Sequence, residues 1–527
     1  MSSEFSAAER AVLERYFTNL DRPVFALRNL PEVVKGALFS RYSRTEKSLR
    51  RVLLEEFIND PDSGFGGLAG ASPADDDMVA VRKAEEFYER VLVGYGDDSV
   101  AELAGAHIAV EHASTLAAKA LEDSRIGISP LEKSTRYVRF DRPGPDGRFL
   151  YYRGPELSHP AYEPAADALF DAYSGLVEPV MQAIRERFPQ EEGETDRAWK
   201  AATRAKALDL LRGLLPAGTL TNLGLYGNGR AFEYLITKLA ANELPECNAL
   251  AHSLHAELSL VIPSFVRRAL DPKYGAPAAE RMVDVRHRLE KLAARPAGGE
   301  EQPGVKLIDF DADAMNRVLR AALFPMSNLP LDRQSGDPDA VLDALMGDRS
   351  NRRQRGGRAL EQADYSFEMV ANFAAYRDLH RHRLLTQERQ RLGTRLGYDL
   401  PEGLVELGVA GRFERAVEQA AEAHRKLERD LGPALAQYVV PLAFRVRWYV
   451  KANLREVYHL TELRTTPQGH PDYRWIAQEM FRRVEEVHPA LARYARFVDL
   501  GAGDELERRT SERKIDEKLE SMKRRVR

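Results

Sequence analysis

Two stretches of this chain, PAGTLTNLGLYGNGRAFEYL (216–235) and PLAFRVRWYVKANLREVYHL (441–460), carry the same landmarks in the same order. Pro216 aligns with Pro441, Asn228 with Asn453 and Arg230 with Arg455, all at a constant offset of 225 residues. Each copy follows an arginine-centred motif: EDSRIGISPLEKSTRYVRFD (122–141) precedes the first and YRDLHRHRLLTQERQ (376–390) the second. Gene duplication followed by divergence is the simplest account. A repeat has to be recognised before any fold is read, because missing it misassigns the whole architecture. At 527 residues the chain is also too long for one ordinary domain. The clearest break in composition, PAGGEEQPGV (296–305), lies between the copies. The expected organisation is one repeat over 1–300, a second over 301–500, and a charged helical tail over 501–527.

Composition narrows the class. Hydrophobic residues at 44% and charged residues at 30% exclude a disordered or collagen-like chain. The 77 basic and 81 acidic side chains nearly cancel, to a net charge of −4, which argues against nucleic acid as the partner. The one cysteine, Cys247, rules out an intrachain disulfide and a multi-thiolate zinc site. No run approaches the roughly 18 apolar residues of a membrane helix, and the N-terminus MSSEFSAAERAVLERYF is charged throughout rather than signal-like. The expectation is a soluble, membrane-free protein of a reducing compartment, the cytoplasm.

Apolar periodicity reads helices over 6–20, 31–59, 78–123 and 162–295, with the longest second-half patterns at 366–384, 410–430 and 441–466. Strand-like runs are short: Arg136–Phe140, Phe149–Arg153 and Lys306–Phe310. The segment GFGGLAGASPADDD (64–77) lacks the strand-to-helix context of a dinucleotide fingerprint and reads as a linker or surface loop. From 502 onward charges alternate at helical spacing, which reads as a solvated or partner-binding helix.

Several clusters could carry chemistry. Glu132, Ser134 and Arg136 stand at alternate positions in EKSTRY, so an extended backbone would put all three on one face. Such a face binds a polar anion, and the arginine fork suits phosphate; the alternative is a half-buried strand with a surface salt bridge. Arg381, His382 and Arg383 form a basic cluster, with His380 before it and Arg377 one turn earlier. The cluster either grips a phosphate or is a charged helix end favoured by the macrodipole. His252 and His255 read as a half-exposed helix face, and His107 and His112 as packed or surface histidines on an apolar helix. No metal site is expected, and Cys247 lies outside every motif. Arg41, Arg44, Arg50 and Arg51 read as an exposed basic helix.

Taken together, these pieces resemble the flavin-dependent thymidylate synthase (ThyX) family. Its signature R-H-R-x-x-S-x-N-E-x-S-x-R-Y is followed by R-x-x-L-P and then by N-x-R with a later L-R. SPLEKSTRY (129–137) matches the second half of the signature, with Leu131 in place of Asn. RHR (381–383) supplies the first half, from the other repeat. RGLLP (212–216) matches R-x-x-L-P, where repeat two has Gln437 in place of arginine. NLREVYHLTELR (453–464) matches N-x-R through L-R, where repeat one ends in Leu239. The resemblance implies an α+β fold of two tandem ThyX-like domains, each a twisted antiparallel sheet packed with long helices. It also implies a homodimer that mimics the family's homotetramer.

By the same resemblance, Arg381, His382 and Arg383 contact FAD. Asn453, Arg455 and His459 lie on the flavin side, with Asn228 and Arg230 as repeat-one counterparts. Glu132, Ser134 and Arg136 bind dUMP or its phosphate, and Arg212 is a further nucleotide ligand. Arg464 stands beside the uracil ring and polarises it, so Arg464 and Ser134 are the candidate catalytic residues. The implied activity is methylation of dUMP to dTMP, with methylenetetrahydrofolate as carbon donor and NADPH as reductant, at composite sites between repeats.

Departures from the family pattern are equally informative. At the R-H-R place repeat one reads Ser124–Arg125–Ile126, and a family histidine after S-x-x-E falls on Leu103. In repeat two, LLTQERQRLGTRLGYD lacks the nucleotide loop, so neither repeat holds a complete site. Arg212 and Arg464 sit on opposite repeats, whereas their family equivalents serve together from one protomer. The alternatives are a diverged, non-catalytic flavin- or nucleotide-binding protein, or methylation of another pyrimidine nucleotide.

Overall fold

The computed structural model describes residues 4–43, 45–59, 101–293, 299–503 and 505–526. The loop reading at 64–77, the helical reading of 78–100 and Arg44 lie outside these residues. The chain divides into two compact units, the first of 1–111, 117–132 and 222–294, the second of 112–116, 133–221 and 295–527.

Two antiparallel sheets organise the molecule. The first has three strands in the order β1-β3-β2, with β1 at Gly105–Ser114, β2 at Ile128–Glu132 and β3 at Leu220–Asn228. The second has four, β4-β5-β7-β6, with β4 at Gly304–Phe310, β5 at Asp364–Asn372, β6 at Thr386–Arg389 and β7 at Arg445–Asn453. Without the edge strand β4 the two orders coincide. In β7 the sequence RVRWYVKAN alternates, burying Val446, Trp448, Val450 and Ala452 while Tyr449 and Lys451 face outward. That period of two is what a sheet packed on one face requires. Register is fixed by nine β5–β7 partners, from Asp364↔Asn453 to Asn372↔Arg445.

The repeat survives in local detail. Strands β3 and β7 begin and end 225 residues apart, and each runs straight into a helix, Gly229–Ala240 or Leu454–Arg464. Asn228 Oδ1 accepts from Ala231 N at 2.8 Å and Asn453 Oδ1 from Glu456 N at 3.0 Å, so the same cap starts both helices.

Within the second unit the copies also meet directly. Ala217 N donates to Val440 O at 2.8 Å and Leu442 N to Leu215 O at 2.9 Å; Gly218 N donates to Tyr438 O at 2.8 Å and Ala443 N to Gly213 O at 3.0 Å. Each bond is the 225-residue image of its partner, the reciprocal pattern of a twofold interface. Gly218 permits the approach, since a Cβ there would stand 2.9 Å from the Tyr438 carbonyl oxygen. The long helices Tyr162–Arg187 and Ala410–Leu431 pack beside this seam and bury Leu169, Tyr173, Phe413 and Val417.

The tail forms the helix Arg509–Val526. Arg509 and Arg513 each reach Glu191 at 2.6 Å, and Arg197 holds Glu512 at 3.0 Å, all within the second unit. Among the described residues no helix is long and apolar enough to cross a membrane.

Several local readings change. Residues 105–114 form β1 rather than helix, and β3 interrupts the helical reading of 162–295. The patterns at 366–384 and 441–466 are each a strand followed by a helix. Arg136–Phe140 is a turn and not a strand, and Phe149–Arg153 contributes only a single bridge at Tyr151↔Thr219. Lys306–Phe310 does lie in a strand, β4. A short apolar run fits either periodicity, and a pairing partner far along the chain decides between them.

Candidate functional site

The first sequence cluster comes apart at the end of β2. The extended backbone stops at Glu132, and residues 134–138 turn, with Tyr137 N and Val138 N both donating to Ser134 O. Alternation therefore does not align Glu132, Ser134 and Arg136 on one face. Glu132 is buried in the first unit and accepts from Lys119 Nζ at 2.9 Å, beside the Lys119–Glu122 pair. Ser134 Oγ accepts from the Arg136 backbone N–H at 3.2 Å. Arg136, in the second unit, forks onto Asp209, with Nε–Oδ1 at 2.8 Å and Nη2–Oδ2 at 2.6 Å, and its Nη1 faces Tyr473 Oη at 3.4 Å. Burial works against its charge, yet Asp209 outweighs it and holds the guanidinium above its ordinary pKa.

Around Arg136 the second unit gathers residues from both repeats. Arg212 opens the 3₁₀ turn after the helix Asp196–Leu211 and donates through Nη1 to Asp378 Oδ2 at 2.8 Å. Its Nη2 is buried with no hydrogen-bond partner. Asp378, on the helix Phe373–Leu379, is desolvated, but Arg212, Arg381 and Arg136 together hold its carboxyl well below the usual range. Arg464, at the last turn of Leu454–Arg464, also feels Asp378 and lies 5.6 Å over the Tyr473 ring. Burial lowers its pKa, and no carboxylate pairs with it directly among the described residues. Arg212 and Arg464, on opposite repeats in sequence, thus share one carboxylate in space.

The R-H-R segment supplies the next ring of contacts. His382 is buried, and its Nδ1 lies 2.9 Å from Glu456 Oε1. Arg464 Nε–H donates to His382 Nε2 at 2.9 Å, so Nε2 is the acceptor and Nδ1–H donates to Glu456. Burial pushes the His382 pKa down, consistent with a neutral ring. Arg381 and Arg383, on either side, are exposed. The His459 ring lies 5.5 Å from that of His382, tilted against it, and burial together with the field of His382, Arg355 and Arg352 lowers its pKa to about 4. His382, Glu456 and His459 bring potential ligand atoms within 4.8 Å of one another. Both His382 nitrogens are already committed and arginines surround the group, so this geometry suits a hydrogen-bond relay better than a cation.

The remaining expected residues are dispersed. Arg455 pairs with Glu361 at 2.6 Å and donates to Gly356 O at 3.0 Å. Asn453 and Asn228 are helix caps, and Arg230 makes an exposed pair with Glu102 at 2.9 Å in the first unit. His107, on β1 and not on a helix, lies 4.5 Å from Tyr226. Cys247 is buried.

Sequence reasoning missed Asp209, Asp378, Glu456, His470 and Tyr473. Asp209 precedes Arg212 by one helical turn and Asp378 precedes Arg381 by the same spacing, a signal that was available. His470 is buried and its pKa is lowered by desolvation and then by Arg212. A cavity of about 440 Å³ in the second unit is lined by Asp209, Arg212, Asn372, Asp399, His470 and Asp472. The cluster can hold a small anion: rigid forks at its edge, an unsatisfied guanidinium nitrogen, and half-buried Arg464 with no ion-pair partner of its own among the described residues.

Both halves of the chain are similar to known proteins. The family model Thy1, described as thymidylate synthase complementing protein, matches residues 59–264 and 306–490. A UPF0159 protein of Chlamydia muridarum is 44% identical over 521 residues, covering 95% of this chain and 97% of that protein. The flavin-dependent thymidylate synthase of Geobacter sulfurreducens is 30% identical over 215 residues, 38% of this chain and 87% of that protein. Among solved structures, the UMP/dUMP methylase PolB from Streptomyces cacaoi bound with 5-Br dUMP is 19% identical, covering 39% of this chain and 99% of that one at a TM-score of 0.33. With a family match in each half of the chain, the same strand order in both sheets and a reciprocal seam between the copies, the protein belongs to the thymidylate synthase complementing (ThyX) family as a diverged member with two tandem repeats.

Proposed function

We propose that this protein is a FAD-dependent methyltransferase that converts dUMP, or a closely related pyrimidine nucleotide, to its 5-methyl product, at a composite site assembled from both repeats. The convergence of Arg136, Arg212 and Arg464 on Asp378 carries the reading. Arg136 and Arg212 are each paired, with Asp209 and Asp378, and Arg464 has no direct carboxylate of its own among the described residues, so its guanidinium charge is left for a nucleotide's phosphate. His382 and His470 are neutral, since burial depresses both.

The donor set also fits a flavin dinucleotide, because exposed Arg381 and Arg383 flank neutral His382 and half-buried His459. Bound FAD would supply the redox chemistry that carries the one-carbon unit of methylenetetrahydrofolate to the nucleotide, with NADPH as the reductant. The chain's own residues do the rest. Arg136 and Arg212 grip phosphate, and Asp209 and Asp378 keep those forks in rotamer. Ser134 offers its hydroxyl at the same turn. Arg464, half-buried and held by His382, stabilises negative charge that develops on the pyrimidine. His382 acts as a positioning residue, aligned in turn by Glu456.

The first test is to count FAD released by heat from the purified protein and to assay dTMP formation from dUMP, methylenetetrahydrofolate and NADPH. About one FAD per chain and turnover support the proposal; no flavin even with excess FAD sinks it. Arg136→Ala should weaken dUMP binding by at least about 30-fold, the order expected when a buried charged contact is lost. The double variant Arg136→Ala/Asp209→Asn, which leaves no buried carboxylate alone, should lose the same affinity while staying folded. A second reading has one observation in its favour. Asp209 and Asp378 already neutralise the two gripping arginines, as they would in a purely structural ion-pair network. A protein that binds nucleotide or flavin without turnover would meet that reading.

A further inference from the structure

The loop 347–358, GDRSNRRQRGGR, is the most arginine-dense segment of the chain, and the family motifs do not use it. Its backbone is held from inside. Arg349 forks onto buried Glu462 at 2.8 and 2.6 Å and reaches Tyr494 O at 3.2 Å. Gln354 Oε1 accepts from Ser350 N at 2.6 Å and Asn351 N at 3.2 Å. Arg455 Nε donates to Gly356 O at 3.0 Å, and a Cβ at Gly356 would meet Met346 Sδ at 2.4 Å, so the loop lies close against its support.

Arg352, Arg353, Arg355 and Arg358 behave differently from Arg349. Among the described residues, none of these four guanidiniums takes part in an ion pair or side-chain hydrogen bond. The segment's one carboxylate is Asp348. Arginines of the second unit such as Arg136, Arg212, Arg349, Arg445, Arg447 and Arg455 are paired, whereas scattered exposed ones such as Arg204 and Arg425 are not, among the described residues; what sets this loop apart is four unpaired guanidiniums within seven residues. A preformed loop with four uncompensated cations is costly in mutual repulsion unless an anion arrives. The patch also borders the site, because Arg455, which holds Gly356 O at 3.0 Å, lies on the same helix as Glu456 and His459, and Arg352 and Arg355 add to the field at His459.

We infer that Arg352 and Arg355 form a phosphate-binding element for an adenine dinucleotide, gripping either its diphosphate or a 2′-phosphate on its ribose. The inference rests on the flavin reading above and adds the residues that read the dinucleotide's anionic part. A nucleic acid is a poorer occupant, since the whole chain carries a net charge of −4 and the unpaired arginines sit at the rim of a small-molecule site.

The test is direct binding to the full chain of FAD, NADPH and NADH separately, for the wild type and for Arg352→Gln/Arg355→Gln. Arg355 is exposed and Arg352 half-exposed, and neither guanidinium holds a partner among the described residues, so the variant should fold, and an unchanged thermal unfolding curve checks that it does. The expected result is a loss of about tenfold or more in affinity for at least one dinucleotide. Loss for FAD identifies the flavin's diphosphate. Loss for NADPH with NADH unchanged identifies the 2′-phosphate. Wild-type binding matched by the variant for all three ligands overturns this inference and leaves the flavin reading standing. A wild type that binds none of the three overturns both.

Discussion

A buried charge is stable only in company, and two side chains make that measurable. Lys119 is fully buried between Glu122 and Glu132 in the first unit, so Lys119→Met removes a cation that both carboxylates share. The expected loss is about 3 kcal/mol by chemical denaturation; a change under about 1 kcal/mol would show that other groups carry those carboxylates. His424 is buried beside Thr394, and desolvation lowers its pKa to about 4. Its folded pKa lies below its unfolded value, so the unfolded chain takes the proton first. Its contribution is therefore complete above about pH 6.5 and is lost as pH falls toward 4, by as much as about 3 kcal/mol. In His424→Gln that part of the pH dependence should disappear from unfolding curves taken between pH 7 and 4. Legibility was uneven at this scale. The arginines of the site were visible as motif positions, whereas Asp209 and Asp378 were hidden, because a carboxylate one turn from an arginine is also what any solvated helix shows.

Elements repeat more faithfully than residues. Asn228 and Asn453 cap their helices with the same bond, and each Asn→Ala change should cost about 1 kcal/mol in thermal or chemical unfolding. Unequal losses would mean that one repeat dominates the measured transition. At the seam, Gly218→Ala pushes a Cβ against the Tyr438 carbonyl and should cost about 1–3 kcal/mol, since backbone cannot step aside as a side chain can. The strands were the elements least visible in the sequence. β5 reads DYSFEMVAN and β7 RVRWYVKAN, and both run into helices without a turn signal, so a helical period extends backward over them. Pairing with neighbouring strands settles what the alternation in β7 leaves open against a helical reading. The helices Tyr162–Arg187 and Ala410–Leu431 were legible because twenty or more residues of one period leave no competing pattern.

At the largest scale, the seam within the second unit joins the two copies by reciprocal bonds, the pattern that a duplication leaves. The tail helix is fastened to the second unit by Arg509, Arg513 and Arg197, and Glu507 pairs with Lys206 at 2.6 Å. Arg508 lies 4.6 Å over the Tyr137 ring, next to the Arg136 turn. Removing 505–527 should therefore lower the unfolding midpoint and weaken dUMP binding, with the α+β circular dichroism signature kept; unchanged binding would mean that the tail serves stability alone. The sequence by itself determined the duplication and the family and singled out the arginines proposed to grip the ligand, since each rests on residue types at fixed spacing, and spacing is a covalent property. Tertiary structure alone decided that Arg212 and Arg464 share Asp378, that Glu132 turns to Lys119 rather than to Arg136, and which apolar runs are strands. Those outcomes depend on groups 13 to 166 residues apart meeting in space, and no local period records where a chain will return to itself.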